Sequence, residues 1–184
     1  MSVMHDDAAS VRSRAALSDL LASWTTIPAF LCDRFFTVLA SNTAAAALSQ
    51  GFTEGTNLAR FAFLEPDVDR GHANWHEASA QMAALLRESL DEHEPDSAVD
   101  TIVGELSVHS RDFSVAWADE SRRATSRGIV PFDDSPVGRI TCSYYMLTVP
   151  ESDDDVLFIW QPVDEVSRSR LDELIERRRT SDSN

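Results

Sequence analysis

Long apolar runs are missing from this sequence of 184 residues. No stretch approaches the roughly 20 apolar residues that a membrane-spanning helix needs, and no basic segment followed by an apolar one opens the chain. The sequence therefore predicts a protein that is neither inserted into a membrane nor exported. Internal repeats and low-complexity segments are also absent, so nothing in the sequence indicates a repeat protein.

Cysteine is scarce, with Cys32 and Cys142 as its two occurrences. The two lie far apart, each inside an apolar, strand-like run, which is typical of buried free thiols. Without a disulfide framework the chain suits a reducing compartment, and we expect it in the cytoplasm.

Basic residues are few: the sequence contains 16 of them and 31 acidic residues, so the net charge is -15. Such a chain repels phosphate backbones unless its basic residues share one face. The densest basic cluster, residues 177–179, ends a predicted helix, where cations complement the helix dipole. We therefore expect no direct nucleic-acid binding by this chain.

The hydrophobic content of 43% is enough for a real core. We expect a single domain over residues 11–178, with disordered ends at 1–10 and 179–184. Strands come first, a helical middle follows, and strands and a helix close the chain. This order predicts an α+β fold in which helices pack over one face of an antiparallel sheet, with a pocket between sheet and helices.

Periodicity and capping signals place the individual elements. Asn42, Asn74 and Ser110 are the predicted helix caps, and Asp33-Arg34 is the predicted hairpin turn. Helices are expected at 11–24, 43–48, 57–64, 75–89, 99–106, 111–117 and 164–178, and strands within 29–40, at 138–149 and at 156–160, the last of which is apolar enough to be central.

Aromatic and methionine side chains recur on two of these helices and two of these strands, which suits an adaptable apolar pocket with one or two polar anchors. Each of them alone also fits an ordinary core. Arg60 and Arg70 are the candidate anchors, since a guanidinium can pair a carboxylate through two hydrogen bonds; ion pairs with Glu65 or Asp67 are the alternative. The candidate ligand-binding residues are Arg60, Arg70, Trp75, Met82, Leu86, Phe113, Trp117, Tyr144, Met146 and Trp160.

Catalytic and metal-binding patterns are weak. His72 and His76 are spaced as zinc ligands on one helix face, but the Asn74 cap places His72 before the helix. His93 and His109 have no evident nucleophile beside them, and Ser110 and Ser135 lack a nucleophile-elbow context. We expect no catalysis, no metal and no cofactor, and keep a small metal-dependent enzyme as the weakest alternative.

Several phrases resemble, in order and spacing, the ligand-binding domain of MmyB-like transcription regulators, over about residues 28–162. They are Pro28-Ala29-Phe30, Val38-Leu39-Ala40-Ser41-Asn42, residues 57–66 with Arg70, Trp75, Leu86-Arg87, Val103-Gly104-Glu105-Leu106, Ser110-Arg111-Asp112-Phe113, Trp117 and Pro136-Val137-Gly138.

The resemblance implies a PAS-like sensor domain that holds a fatty acid or similar apolar molecule and that, in actinobacteria, usually follows a helix-turn-helix domain. We expect too little chain before Pro28 for that motif, so the DNA-binding partner would be fused or separate, and a homodimer is the other expected assembly. Relatives carry basic or histidine residues where this sequence has Asp119-Glu120 and Asp133-Asp134. A ligand-free dimerisation module is the alternative function.

Overall fold

The computed structural model describes residues 3–65, 75–92, 97–133, 135–150, 152 and 154–182. Contacts divide these residues into two compact units. The first unit combines the described parts of Met1–Gly55 and Ser126–Asn184, and the second comprises the described parts of Thr56–Thr125.

The elements follow one another in the predicted order of strands, helices, strands and a helix. Within the described residues the helices are α1 Val3–Ser23, α2 Thr43–Leu48, α3 Leu58–Leu64, α4 Trp75–Glu92, α5 Ser97–His109, α6 Arg111–Ala118 and α7 Glu165–Asp182, with a 3-10 turn at Gln50–Phe52. The strands are β1 Ala29–Cys32, β2 Val38–Ser41, β3 Arg127–Phe132, β4 Ile140–Thr148 and β5 Val156–Pro162. The α+β class is confirmed.

The described strands form one antiparallel sheet in the order β2-β1-β5-β4-β3. β5 is central, as its apolar run predicts, and pairs with β1 on one side and β4 on the other. Every residue of β1 is buried. Leu157 and Phe158 of β5, neighbours that point to opposite faces, are both buried as well, so each face of the sheet centre is covered.

Helix caps are the most reliable local signal in this sequence. The side chain of Asn42 accepts a hydrogen bond from Ala45 N at 2.9 Å, and that of Asn57 accepts one from Arg60 N at 3.1 Å. Ser110 caps α6 through Phe113 N at 3.2 Å. The predictions for Asn42 and Ser110 are confirmed, and Asn57 is a further cap that was not predicted; in each case a short polar side chain satisfies an amide that the first helical turn leaves free. Asn74 lies outside the described residues.

Three elements differ from the sequence prediction. β3 is a strand that the sequence analysis missed, because Gly128 and Pro131 are poor strand formers and hide its period of two. The helix α1 begins at Val3 rather than near Val11, since its first turns hold alanine, aspartate and serine without an apolar stripe. α7 likewise continues to Asp182. The predicted disorder of the chain ends stays a prediction.

Helix α1 covers one face of the sheet. Leu21 is 1% exposed and packs in a cluster with residues of β1, β2 and β5, among them Leu31 and Leu157. The opposite face carries Phe30, which stacks on Phe52 of the 3-10 turn at 4.6 Å between ring centroids. α7 lies against β4, β5 and α2. The two faces of the sheet are therefore covered by different parts of the first unit.

A buried ion pair fastens α1 to the turn between β4 and β5. Arg14 Nε lies 2.7 Å from Asp155 Oδ2, and Arg14 Nη2 lies 2.8 Å from Asp155 Oδ1. The carboxylate is fully buried, whereas the arginine side chain is 33% exposed. The two parallel bonds fix both the distance and the orientation of the helix at this point.

The second unit is helical. α3 contacts α4 and α5, and α6 contacts α4 and α5. The side chain of Gln81 on α4 holds the segment after α6 by bonding both backbone groups of Thr125, at 2.7 Å and 3.2 Å. Glu88 accepts a third bond from Ala124 N at 3.1 Å. These bonds secure the chain where it leaves the second unit.

In the described residues no helix combines the length and the apolar character that crossing a membrane requires.

Candidate ligand-binding site

Six aromatic side chains of the first unit share one face of the sheet, here called the aromatic face. Trp160 lies at its centre, with ring centroids 5.1 Å from Phe52, 5.3 Å from Phe132 and 5.4 Å from Tyr144. Phe30 stacks on Phe158 at 4.9 Å. The members of the aromatic face are Phe30, Phe52, Phe132, Tyr144, Phe158 and Trp160.

Strand register brings these rings together. Phe30 is opposite Phe158 on β1 and β5, and Tyr144 is opposite Trp160 on β4 and β5. Directly opposed residues of antiparallel strands lie on the same face, so each pair adds two rings to one surface. Gly128 on β3 makes room for Tyr144, because a Cβ there would lie 2.6 Å from the Cε1 atom of the tyrosine ring.

Burial decreases from the centre of the aromatic face to its rim. Trp160 and Tyr144 are 6% and 7% exposed, whereas Phe52 and Phe132 are half-buried. Met146, opposite Phe158 and on the same face, is also half-buried. The rim therefore offers aromatic carbon and a polarisable thioether to an apolar molecule.

In the second unit, Phe113 and Trp117 stack at 5.4 Å, one helical turn apart as the sequence predicts. Phe63 of α3 meets Phe113 edge-on at 5.1 Å. Arg87 lies over the Trp117 ring at 5.2 Å and donates a hydrogen bond to the Trp117 carbonyl oxygen at 2.7 Å. This arginine thus fixes the tryptophan through a cation–π contact and a hydrogen bond.

The remaining predicted residues of the second unit have different environments. Leu86 is fully buried, and Met82 is half-buried. Arg60 pairs with Glu105, with Nη2 to Oε2 at 2.7 Å, so its ionic partner is neither of those named from the sequence. Arg70 and the side chain of Trp75 lie outside the described residues. Their roles stay predictions.

A separate, polar depression of about 490 Å³ opens in the first unit. Arginine and aspartate side chains contribute to its wall, so it does not suit an apolar ligand. Burial raises the pKa of Asp33 despite hydrogen bonds from the backbone amides of Thr37 and Phe35. The depression is lined by Arg14, Asp33, Arg34, Phe35, Leu39 and Asp154.

Cys32 and Cys142 are free and buried, as predicted. Burial raises the pKa of Cys142 to about 12. It raises the pKa of Cys32 as well, and the carboxylates of Asp33 and Asp155 add to that shift. Because the thiolate is the reactive form, we expect both thiols to be unreactive in the folded protein near neutral pH.

We expect neither thiol of the native chain to react with a chromogenic disulfide reagent at pH 8. In concentrated guanidinium both thiols should react, which gives two equivalents. The raised pKa of Cys142 contributes stability that is complete below its ordinary value of 9.0 and is lost as pH rises towards about 12. Cys142→Ala should remove one of the two equivalents. Rapid labelling of the native chain would contradict this prediction.

Among the described residues no group of three or more histidine, cysteine, aspartate or glutamate side chains could hold a metal ion. His76 is exposed on α4, and His72 lies outside the described residues. That the protein needs no metal stays a prediction.

Four of the six rings of the aromatic face were not predicted from the sequence. Tyr144 and Trp160 were named as ligand-binding residues, but Phe30, Phe52, Phe132 and Phe158 were not. Phe30 and Phe158 read as ordinary strand core, Phe52 sits in a loop-like segment, and Phe132 belongs to the strand that was missed. A signal existed in β1, where Phe30 follows the Pro28 break at the start of an apolar run.

The first unit carries an aromatic surface on an antiparallel sheet, and the second unit, taken by itself, is a set of packed helices. Comparison with known families gives a match over residues 13–174 to the MmyB-like transcription regulator ligand binding domain. The chain belongs to this family. A search of curated proteins gives no match. Membership supports a ligand-sensing regulatory domain that takes a small molecule, and the family is not a known enzyme family.

Proposed function

We propose that this chain senses a fatty acid or a similar small amphiphile, which binds with its hydrocarbon against the aromatic face. The observation that carries the proposal is the burial gradient of that face. Its central rings pack on one another, whereas Phe52, Phe132 and Met146 at the rim keep apolar surface accessible. Ligand sites are mostly apolar with a few placed polar groups, and the aromatic face has this composition.

The driving force comes from the tail. Each methylene that leaves water contributes about 0.8 kcal/mol before the cost of association, so the tail of a dozen carbons supplies most of the favourable binding free energy without help from charge. Binding that does not depend on an ionic contact suits this chain, because the electrostatic field of a protein with a net charge of -15 disfavours an anionic ligand. The aromatic face supplies the apolar contact that this mode of binding needs.

Native mass spectrometry of the purified chain, followed by organic extraction, tests the proposal directly. We expect a co-purifying amphiphile, or else binding of added dodecanoic acid with a micromolar dissociation constant in titration calorimetry. A chain that carries no ligand and binds none of a series of amphiphiles would contradict the proposal.

A pair of substitutions on β3 locates the site. Phe132→Asp places a charge on the aromatic face and should weaken dodecanoic acid binding at least tenfold, since a carboxylate is costly to bury beside hydrocarbon. Ile129→Asp is the matched control, because Ile129 lies on the opposite face of the same strand and is 65% exposed. Thermal unfolding verifies that both variants fold. Equal losses from the two variants would place the ligand elsewhere.

A ligand-free interaction module is the second candidate, and one observation favours it. Ile129, Tyr145 and Leu147 lie on the face of the sheet opposite the aromatic face, with exposures of 65%, 41% and 50%. Exposed apolar side chains grouped on one sheet face mark interaction surfaces. A stable dimer without any bound amphiphile would put this candidate first.

The wider setting belongs to the same proposal. The signal would pass to a fused or separate helix-turn-helix partner of the kind found in actinobacteria, while the chain itself does not bind DNA. The buried, free thiols suit the cytoplasm.

A mobility-shift assay at physiological salt should show no complex with duplex DNA.

A further inference from the structure

The indole of Trp160 holds a buried hydrogen-bond donor without an acceptor in the described part of the chain. Its side chain is 6% exposed, and Nε1 has no hydrogen-bond partner among the described residues. Buried polar atoms in folded proteins are bonded in the large majority of cases, and an indole nitrogen can only donate. The unmatched donor therefore marks a position where an acceptor from outside the described chain is favourable.

The surroundings of this donor are apolar. Phe52, Phe132 and Tyr144 surround the indole with centroid distances between 5.1 and 5.4 Å. The two phenylalanine rings carry no lone pairs, and a hydrogen bond formed among them is stronger than the same bond in water. An oxygen atom that enters the aromatic face thus has Trp160 as a strong and directional partner.

We propose that Trp160 Nε1 donates a hydrogen bond to a head-group oxygen of the bound amphiphile, so that the protein selects ligands with a carboxyl or carbonyl oxygen at this position. This inference rests on the proposed function and adds the head-group chemistry to it. The head group lies at β5, and the hydrocarbon contacts the rim of the aromatic face.

A neutral donor fits the electrostatics of this chain. Arg60, the cation named from the sequence as an anchor, already pairs with Glu105 at 2.7 Å. An indole N–H recognises an oxygen atom without adding a charge, so it suits a carbonyl oxygen, including that of a carboxyl group that takes up a proton on entering the aromatic face. Head groups that only donate hydrogen bonds, such as an alkylammonium, gain nothing from it.

The test compares Trp160→Phe with the parent chain, using dodecanoic acid and dodecylammonium as probes. The variant keeps an aromatic ring at this position but removes the hydrogen-bond donor. The two probes have the same tail; the head group of dodecanoic acid can accept a hydrogen bond, whereas that of dodecylammonium can only donate one. We expect the dissociation constant for dodecanoic acid to rise about tenfold in the variant. The constant for dodecylammonium should change less than twofold.

A second measurement follows the NMR signal of the Trp160 indole N–H in the parent chain. The sequence contains four tryptophans, so a nitrogen-15 correlation spectrum shows four indole N–H signals. The signal missing from Trp160→Phe belongs to Trp160; if that variant does not fold, Phe substitutions of Trp24, Trp75 and Trp117 assign it by elimination. On addition of dodecanoic acid, the proton shift of this signal should move downfield, as hydrogen bonding requires.

The outcomes separate the two proposals. A tenfold loss confined to dodecanoic acid, with the downfield shift, supports the role of Trp160. Equal effects on both probes, or an unmoved indole signal while the acid binds, would overturn that role and leave ligand sensing intact. Absence of binding by either probe to the parent chain would overturn the proposed function itself.

Discussion

Replacing Phe30 by alanine is expected to lower the free energy of unfolding by about 3–5 kcal/mol. The Phe30 side chain is fully buried in β1 and stacks on Phe52 and Phe158, at 4.6 and 4.9 Å between centroids. Its removal loses the transfer free energy of the ring and leaves a cavity that the two stacked neighbours fill only in part. Urea unfolding followed by circular dichroism measures the change.

Phe35→Ala is the matched control for this substitution. Phe35 is half-buried in the turn between β1 and β2, where it contacts the guanidinium of Arg34. Its loss should cost less than half as much as that of Phe30, because a partly exposed ring contributes less buried area. Similar costs for the two variants would show that Phe30 does not hold the centre of the sheet.

Replacing Arg14 by alanine is expected to lower the free energy of unfolding by about 3 kcal/mol, the lower end of the range for a broken buried ion pair. The variant removes the cationic partner of the Asp155 carboxylate, which is fully buried. The arginine side chain itself is 33% exposed, so water can partly replace the guanidinium. The loss should appear in the same urea experiment as a lower midpoint with an unchanged slope.

Two comparisons separate this ion pair from surface charge in general. Arg12→Ala, at an exposed position of the same helix, should cost less than about 1 kcal/mol. The double substitution of Arg14 by methionine and Asp155 by leucine should lose less than Arg14→Ala alone, because no unpaired buried charge remains. An Arg14→Ala chain as stable as the Arg12→Ala chain would contradict the assignment.

Local chemistry explains which parts of the fold were predictable. Caps such as Asn42 and Ser110 and the turn at Asp33 depend on one side chain and its own backbone, so a single sequence specifies them. β3 was missed because its place in the sheet is set by pairing with β4, which overrides the weak strand propensity of Gly128 and Pro131. For β3, the pairing that forms the strand is therefore not visible in its own sequence pattern.

The candidate site was predictable in composition more than in arrangement. Tyr144 and Trp160 stand out in the sequence as aromatics on predicted strands, and the structure places them opposite each other. Phe52 and Phe132 join them through tertiary contacts that no spacing rule indicates. The ion pair of Arg60 with Glu105, 45 residues further along the chain, was equally out of reach, since the alternatives considered were sequence neighbours.

The two outer strands of the sheet are protected against self-association in different ways. An edge strand offers unpaired N–H and C=O groups to the edge of another molecule, the first step towards aggregation. β2 is only four residues long and gives such a partner little to pair with. β3 is longer but contains Pro131, which has no N–H to donate. The proline that obscures β3 in the sequence therefore also helps to keep copies of this sheet from joining edge to edge.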